Sequence, residues 1–206
     1  MFSVTPVIVV LTCLISFAAF SNYKLREMLI FWPPAVSMRH QYYRFITCGL
    51  IHYDFLHLFM NMFTLYFFGR GAELLYRGEL GLKPWYYPIL YISALVVSNI
   101  PSYLRHRDDY NYRSLGASGA VCAVMFAVIL IRPWVTLQVF AFIPMYSILF
   151  ALIFLGYSIY MSRRGGDNVN HDAHLWGSLY GIVFTIAAHP DIVNTFINEI
   201  KHPPFI

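Results

Sequence analysis

The chain has 206 residues, 59% hydrophobic and 12% charged, against about 25% charged in an ordinary soluble domain. That balance excludes a soluble globular protein and matches the apolar complement of six membrane helices at roughly 20 residues each. The net charge of +4, from 14 Lys and Arg against 10 Asp and Glu, is scattered among short loops; it forms no nucleic-acid-binding patch, and no nucleic-acid partner is expected.

The expected architecture is an all-α membrane protein, one domain over residues 1–206. A first span runs from Val4 to Phe20 and lacks the basic start of a cleaved signal peptide. Residues 21–53 form a long connection containing Phe31-Trp32-Pro33-Pro34, which forbids an uninterrupted helix and favours the headgroup zone. Span two covers Asp54 to Phe68 with a continuation to Tyr76, span three Trp85 to Leu104, and span four Ser118 to Ile131. Span five covers Val135 to Met161 and span six Asp172 to Ala188, leaving 190–206 as a C-terminal tail. Cys13, Cys48 and Cys122 lie in apolar surroundings without paired spacing and read as packing residues.

Span four is short. From Ser118 to Ile131 it has 14 residues, roughly 21 Å, and cannot cross the full apolar slab. Its Gly116-Ala117-Ser118-Gly119 entry is expected below the membrane surface, where non-helical backbone is tolerated only against protein or a water-filled cavity.

Polar groups inside membrane helices are costly and therefore point to function. His57 and Asn61 lie four residues apart on one face of span two; the same spacing also serves as interhelical packing. His52 and Asp54 precede them, but there is no HExxH and no set of three or four convergent ligands, so no metal or other cofactor is expected. Ser118 begins a helix, where free N–H groups and the helix dipole favour a developing oxyanion, although a serine there can also be a cap. Position 120 is Ala, so the stretch is not the G-x-S-x-G of a hydrolase elbow. Gly177 and Gly181 form a close-packing face on span six, with His174 nearly on it. Together these residues supply a nucleophile, a general base and oxyanion donors, the parts of a hydrolase.

The set resembles the rhomboid family of intramembrane serine proteases over about Tyr43 to Gly181. Tyr43-Arg44 resembles the Trp-Arg of that family's first loop, and His52, His57 and Asn61 match its H-x-x-x-x-H-x-x-x-N. Glu73 resembles the acidic residue that closes its second span; Gly116-Ala117-Ser118-Gly119 matches G-x-S-G, and Ala173-His174 with Gly177 and Gly181 matches A-H-x-x-G-x-x-x-G. The resemblance implies Ser118 as nucleophile and His174 as general base. It implies an oxyanion hole from His57, Asn61 and the Ser118 backbone N–H, with Arg44, His52, Glu73, Gly116, Gly119, Gly177 and Gly181 as structural support. It further implies transmembrane proteins as substrates, a multi-pass place in the cell membrane, cytoplasmic termini and an active site open to the opposite side.

Three positions depart from the pattern. Cys122 stands where the family often has an aromatic residue packing on the histidine, Trp176 where a small residue is common, and Tyr43 where the Trp of the first loop stands. Charge also opposes the family orientation: nine Lys and Arg fall on the outer side and five on the inner, against the positive-inside rule. A catalytically silent scaffold that binds membrane segments is the alternative function. A small transporter fits less well, because the polar groups lie near helix ends.

Overall fold

The structure is a computed structural model that describes residues 3–139, 143–166 and 169–204. The first long helix, α1 (Thr5–Ser21), is followed by α2 (Tyr23–Leu29), α3 (Pro33–Arg39) and α4 (Arg44–Thr47). The connection from 21 to 53 is thus folded. Pro33 and Pro34 occupy the first turn of α3, where a missing N–H costs nothing, and Phe31 beneath them is fully buried. The main-chain bridge Phe31 to Ser114 ties this layer to the segment before Ser118.

The bundle continues through α5 (Phe55–Gly78), α6 (Tyr86–Val97), α7 (Ile100–His106) and α8 (Ser118–Ile131). Beyond them lie β1 (Thr136–Val139), β2 (Ile143–Tyr146), α9 (Ser147–Arg164), α10 (His171–Ala188) and α11 (Ile192–Lys201). The expected third span is two helices, with the chain breaking at Asn99 just ahead of Pro101. The expected fifth span is corrected more strongly: its first third is an antiparallel ribbon pairing Thr136 with Tyr146, and only Ser147–Arg164 is helical. The fold is therefore not purely helical. The stretch read as a tail carries α11.

Helix α8 is the axis. It is apolar on every side, and from Gly119 to Ile131 every residue but Val128 is buried, the pattern of a helix enclosed by others. Leu58, Met62 and Leu65 of α5 and Leu90, Ala94 and Leu95 of α6 share its core. Helix α10 approaches most closely: a Cβ at Gly177 would fall on the Gly119 carbonyl, and one at Gly181 on the Ala123 carbonyl. Trp176 is 43% exposed and points away from that seam, so its bulk leaves the contact undisturbed. Away from the core, α5 shows a ladder of exposed rings at Phe55, Phe59, Phe63 and Phe67. Among the described residues, the helical stretch 86–106 is long and apolar enough to cross a membrane, and Thr5–Ser21 and Ser118–Ile131 are shorter apolar helices.

Candidate active site

Ser118 is the first residue of α8, and Ala117 before it makes no side-chain cap. The serine is therefore not a capping residue, and the N–H groups of the first turn stay directed at whatever lies in front of them. Opposite stands His174, one turn into α10, with Nε2 2.8 Å from Ser118 Oγ. Both residues are half-buried. The distance follows from the glycine seam: with Gly119 beside Ser118 and Gly177 three residues after His174, the two backbones meet where any larger residue would force them apart.

The segment before Ser118 is held by the first loop. Gly116 takes φ +115°, a left-handed conformation suited to glycine, and its N–H donates to the Cys48 carbonyl at 2.9 Å. A Cβ at Gly116 would meet His57 Cε1 at 2.7 Å, so glycine is required on steric grounds as well. The Nδ1 of His57 accepts the Tyr53 N–H at 3.4 Å. That tautomer puts the ring proton on Nε2, the nitrogen nearer Gly116. Asn61 is buried one turn further along the same face and donates from Nδ2 to the His57 carbonyl at 2.9 Å, leaving a second N–H on that nitrogen.

His52 works behind this layer. The Ser16 hydroxyl donates its one proton to the Leu50 carbonyl at 2.9 Å, so the 3.0 Å contact with His52 must be Nδ1–H donating to Ser16 Oγ. Nε2 is then bare and accepts the Ala117 N–H at 3.4 Å. Burial, with His57 beside it, pushes the His52 pKa down to about 3, which keeps the ring neutral and this relay intact. Arg44 organises the loop itself: its guanidinium donates to Gln41 Oε1 at 2.7 Å and to the carbonyls of Glu27 at 2.9 Å and Ile30 at 2.6 Å. Tyr43 is exposed and lies under that guanidinium, 5.6 Å from ring centroid to Cζ. Glu73 stands far from Ser118 and caps α1, accepting the Thr5 N–H and hydroxyl at 2.7 Å each.

Three residues that sequence reasoning missed fix the start of α10. Asn170 caps it through the Ala173 N–H at 3.0 Å, and its Nδ2 lies within 3.2 Å of Ser102 Oγ, Tyr112 OH and Ser114 Oγ. Asp172 joins Arg105 of α7 and Ser162 of α9. Phe154 of α9 stacks on the His174 ring, with centroids 5.9 Å apart and planes inclined by 29°. An Asn directly before the first turn of an apolar helix is a cap signal that the sequence does carry. Among the described residues, no three His, Cys, Asp or Glu side chains converge as a metal site.

Residues 39–191 match the family described as "Rhomboid domain". The chain is similar to RHOMBOID-like protein 12, mitochondrial, of Arabidopsis thaliana, 30% identical over 148 residues, covering 65% of this chain and 42% of that protein. It is similar to Rhomboid-like protein 11, chloroplastic, of the same plant, 31% identical over 157 residues, covering 69% of this chain and 51% of that protein. The human Presenilin-associated rhomboid-like protein, mitochondrial, is 31% identical over 144 residues, covering 67% of this chain and 36% of its own length. The chain thus matches about half or less of the length of these relatives. With most of its length matched by the domain, this α-helical, membrane-associated chain belongs to the rhomboid family.

Proposed function

We propose that this chain is an intramembrane serine endopeptidase that cleaves transmembrane segments of other membrane proteins. The observation that carries the reading is the 2.8 Å approach of His174 Nε2 to Ser118 Oγ at an uncapped helix start. His174 takes the Ser118 proton as Oγ attacks the peptide carbonyl, whose electrons move onto oxygen. The Ser118 N–H, His57 Nε2–H and the second Asn61 N–H then stabilise that oxyanion. The tetrahedral intermediate collapses, the peptide C–N bond breaks, and His174 returns its proton to the departing amine. Water, deprotonated by His174, then attacks the acyl-enzyme and releases the acid and the free serine.

In this reading α1, α5, the α6–α7 pair, α8, α9 and α10 are six membrane spans. Helix α8 has 14 residues, roughly 21 Å, so Ser118 meets water below the membrane surface. Both termini lie on the cytoplasmic side and the site opens to the other, an orientation that a C-terminal reporter active only outside the cytoplasm would refute by its activity.

The direct experiment is a fluorophosphonate probe on the purified, detergent-solubilised protein. Labelling is expected in the wild type, absent in Ser118→Ala and sharply reduced in His174→Ala. Equal labelling of Ser118→Ala, or none in a folded wild type, favours the scaffold that holds membrane segments without cutting them.

A further inference from the structure

We infer that Phe154 of α9 is the positioning residue for His174, doing from a neighbouring helix what the residue at position 122 does not. At position 122, one turn after Ser118, the side chain is a buried Cys and offers the imidazole no ring. The face of His174 is covered instead by Phe154, at 5.9 Å and 29°. Phe154 itself contacts Phe126 of α8, 6.0 Å away and tilted by 47°, and stacks on Phe150 one turn earlier on α9, 5.8 Å away. A flat ring in contact with both cannot tilt without loosening those contacts, and the His174 plane is held with it. His171 adds an edge contact at 5.7 Å.

Helix α9 is seated shallowly: only Ser147, Ala151 and Ser158 are buried, while Leu152, Ile153, Tyr157 and Tyr160 are exposed. The orientation of His174 therefore depends on whether this outer helix is in place, and α9 and the histidine move together. A misdirected base loses reactivity steeply, since about 1 Å of misplacement can cost on the order of a hundredfold.

This inference rests on the proposed role of His174 for its kinetic consequence, but not for its geometry, and two measurements separate them. The first is the NMR signal of the His174 ring in the full-length protein, assigned by its loss in His174→Gln. Phe154→Leu, which keeps apolar bulk without a ring, is expected to shift that signal by removing the ring current. Phe154→Tyr should leave it near the wild-type position. The second is the fluorophosphonate labelling rate and the kcat and KM for a synthetic transmembrane segment. Phe154→Leu should slow labelling about tenfold or more and lower kcat with KM unchanged, Phe154→Tyr should restore both, and Leu152→Ala, at an exposed position of the same helix, should leave them near wild type. An unshifted His174 signal in Phe154→Leu overturns the inference, as does an equal kinetic loss in Leu152→Ala, which would mean that any disturbance of α9 matters. A shifted signal in a protein whose Ser118 never labels would keep the positioning and sink the protease reading instead.

Discussion

Gly177 lies so close to Gly119 that a single methyl group at position 177 would occupy the space of the Gly119 carbonyl oxygen. Because Ser118 precedes Gly119 and His174 lies three residues before Gly177, this contact sets the separation of hydroxyl and imidazole.

Gly177→Ala is expected to push α10 off α8, costing about 1–3 kcal/mol as overpacking and moving His174 out of reach of Ser118. Thermal unfolding in detergent, together with probe labelling, checks it. Gly78→Ala is the control, since a Cβ there meets nothing within 4 Å. Full labelling of Gly177→Ala would show that the seam does not govern the pair.

His57→Ala and Asn61→Ala test the oxyanion donors. Each should lower kcat by about 10²–10³ while leaving KM for a transmembrane substrate nearly unchanged, because the interaction strengthens only as charge develops. A rise in KM at constant kcat would assign them to substrate binding.

The His52 relay makes a pH prediction. The folded-state pKa is about 3 against an ordinary 6.5, so between these values the unfolded chain holds a proton that the folded chain refuses. The stability that the neutral ring contributes is fully present above about pH 6.5 and is lost progressively as the pH falls toward 3. Unfolding measured at pH 7.5 and pH 4.5 should show a smaller acid loss in His52→Gln than in the wild type. Identical losses in the two proteins would remove His52 as a cause.

Arg44→Lys is expected to fail as a conservative change. A lysine cannot reproduce the fork that reaches Gln41, Glu27 and Ile30 together, and leaving the buried Ile30 carbonyl unserved costs about 1–3 kcal/mol. Faster proteolysis within residues 21–53 is the readout; an unchanged digestion pattern would contradict the role assigned to the guanidinium.

Much of the candidate site was legible because apolar surroundings make polar residues conspicuous. Ser118, His174, His57 and Asn61 stand out in apolar stretches, and the Gly177/Gly181 spacing announces a close helix contact. The start of span five was not legible: Val135 to Tyr146 reads as continuous apolar helix, and only Pro144, now in β2, hinted at the ribbon. The break at Asn99 likewise had Pro101 as its only local sign. The stacking of Phe154 on His174 depends on the rotation of α9 against α10, which apolar periodicity on so evenly hydrophobic a helix does not specify. The clasp of Asn170 joins side chains up to 68 positions apart, a relation no local pattern encodes.

The most direct measurement is cleavage of a synthetic transmembrane segment in proteoliposomes containing the purified protein, with the products identified by mass. Wild type should cut the segment within its membrane-embedded part, and Ser118→Ala and His174→Ala should leave it intact. Equal cleavage by Ser118→Ala, or an uncut segment in the presence of folded wild type whose Ser118 does react with the probe, would contradict intramembrane proteolysis by this pair.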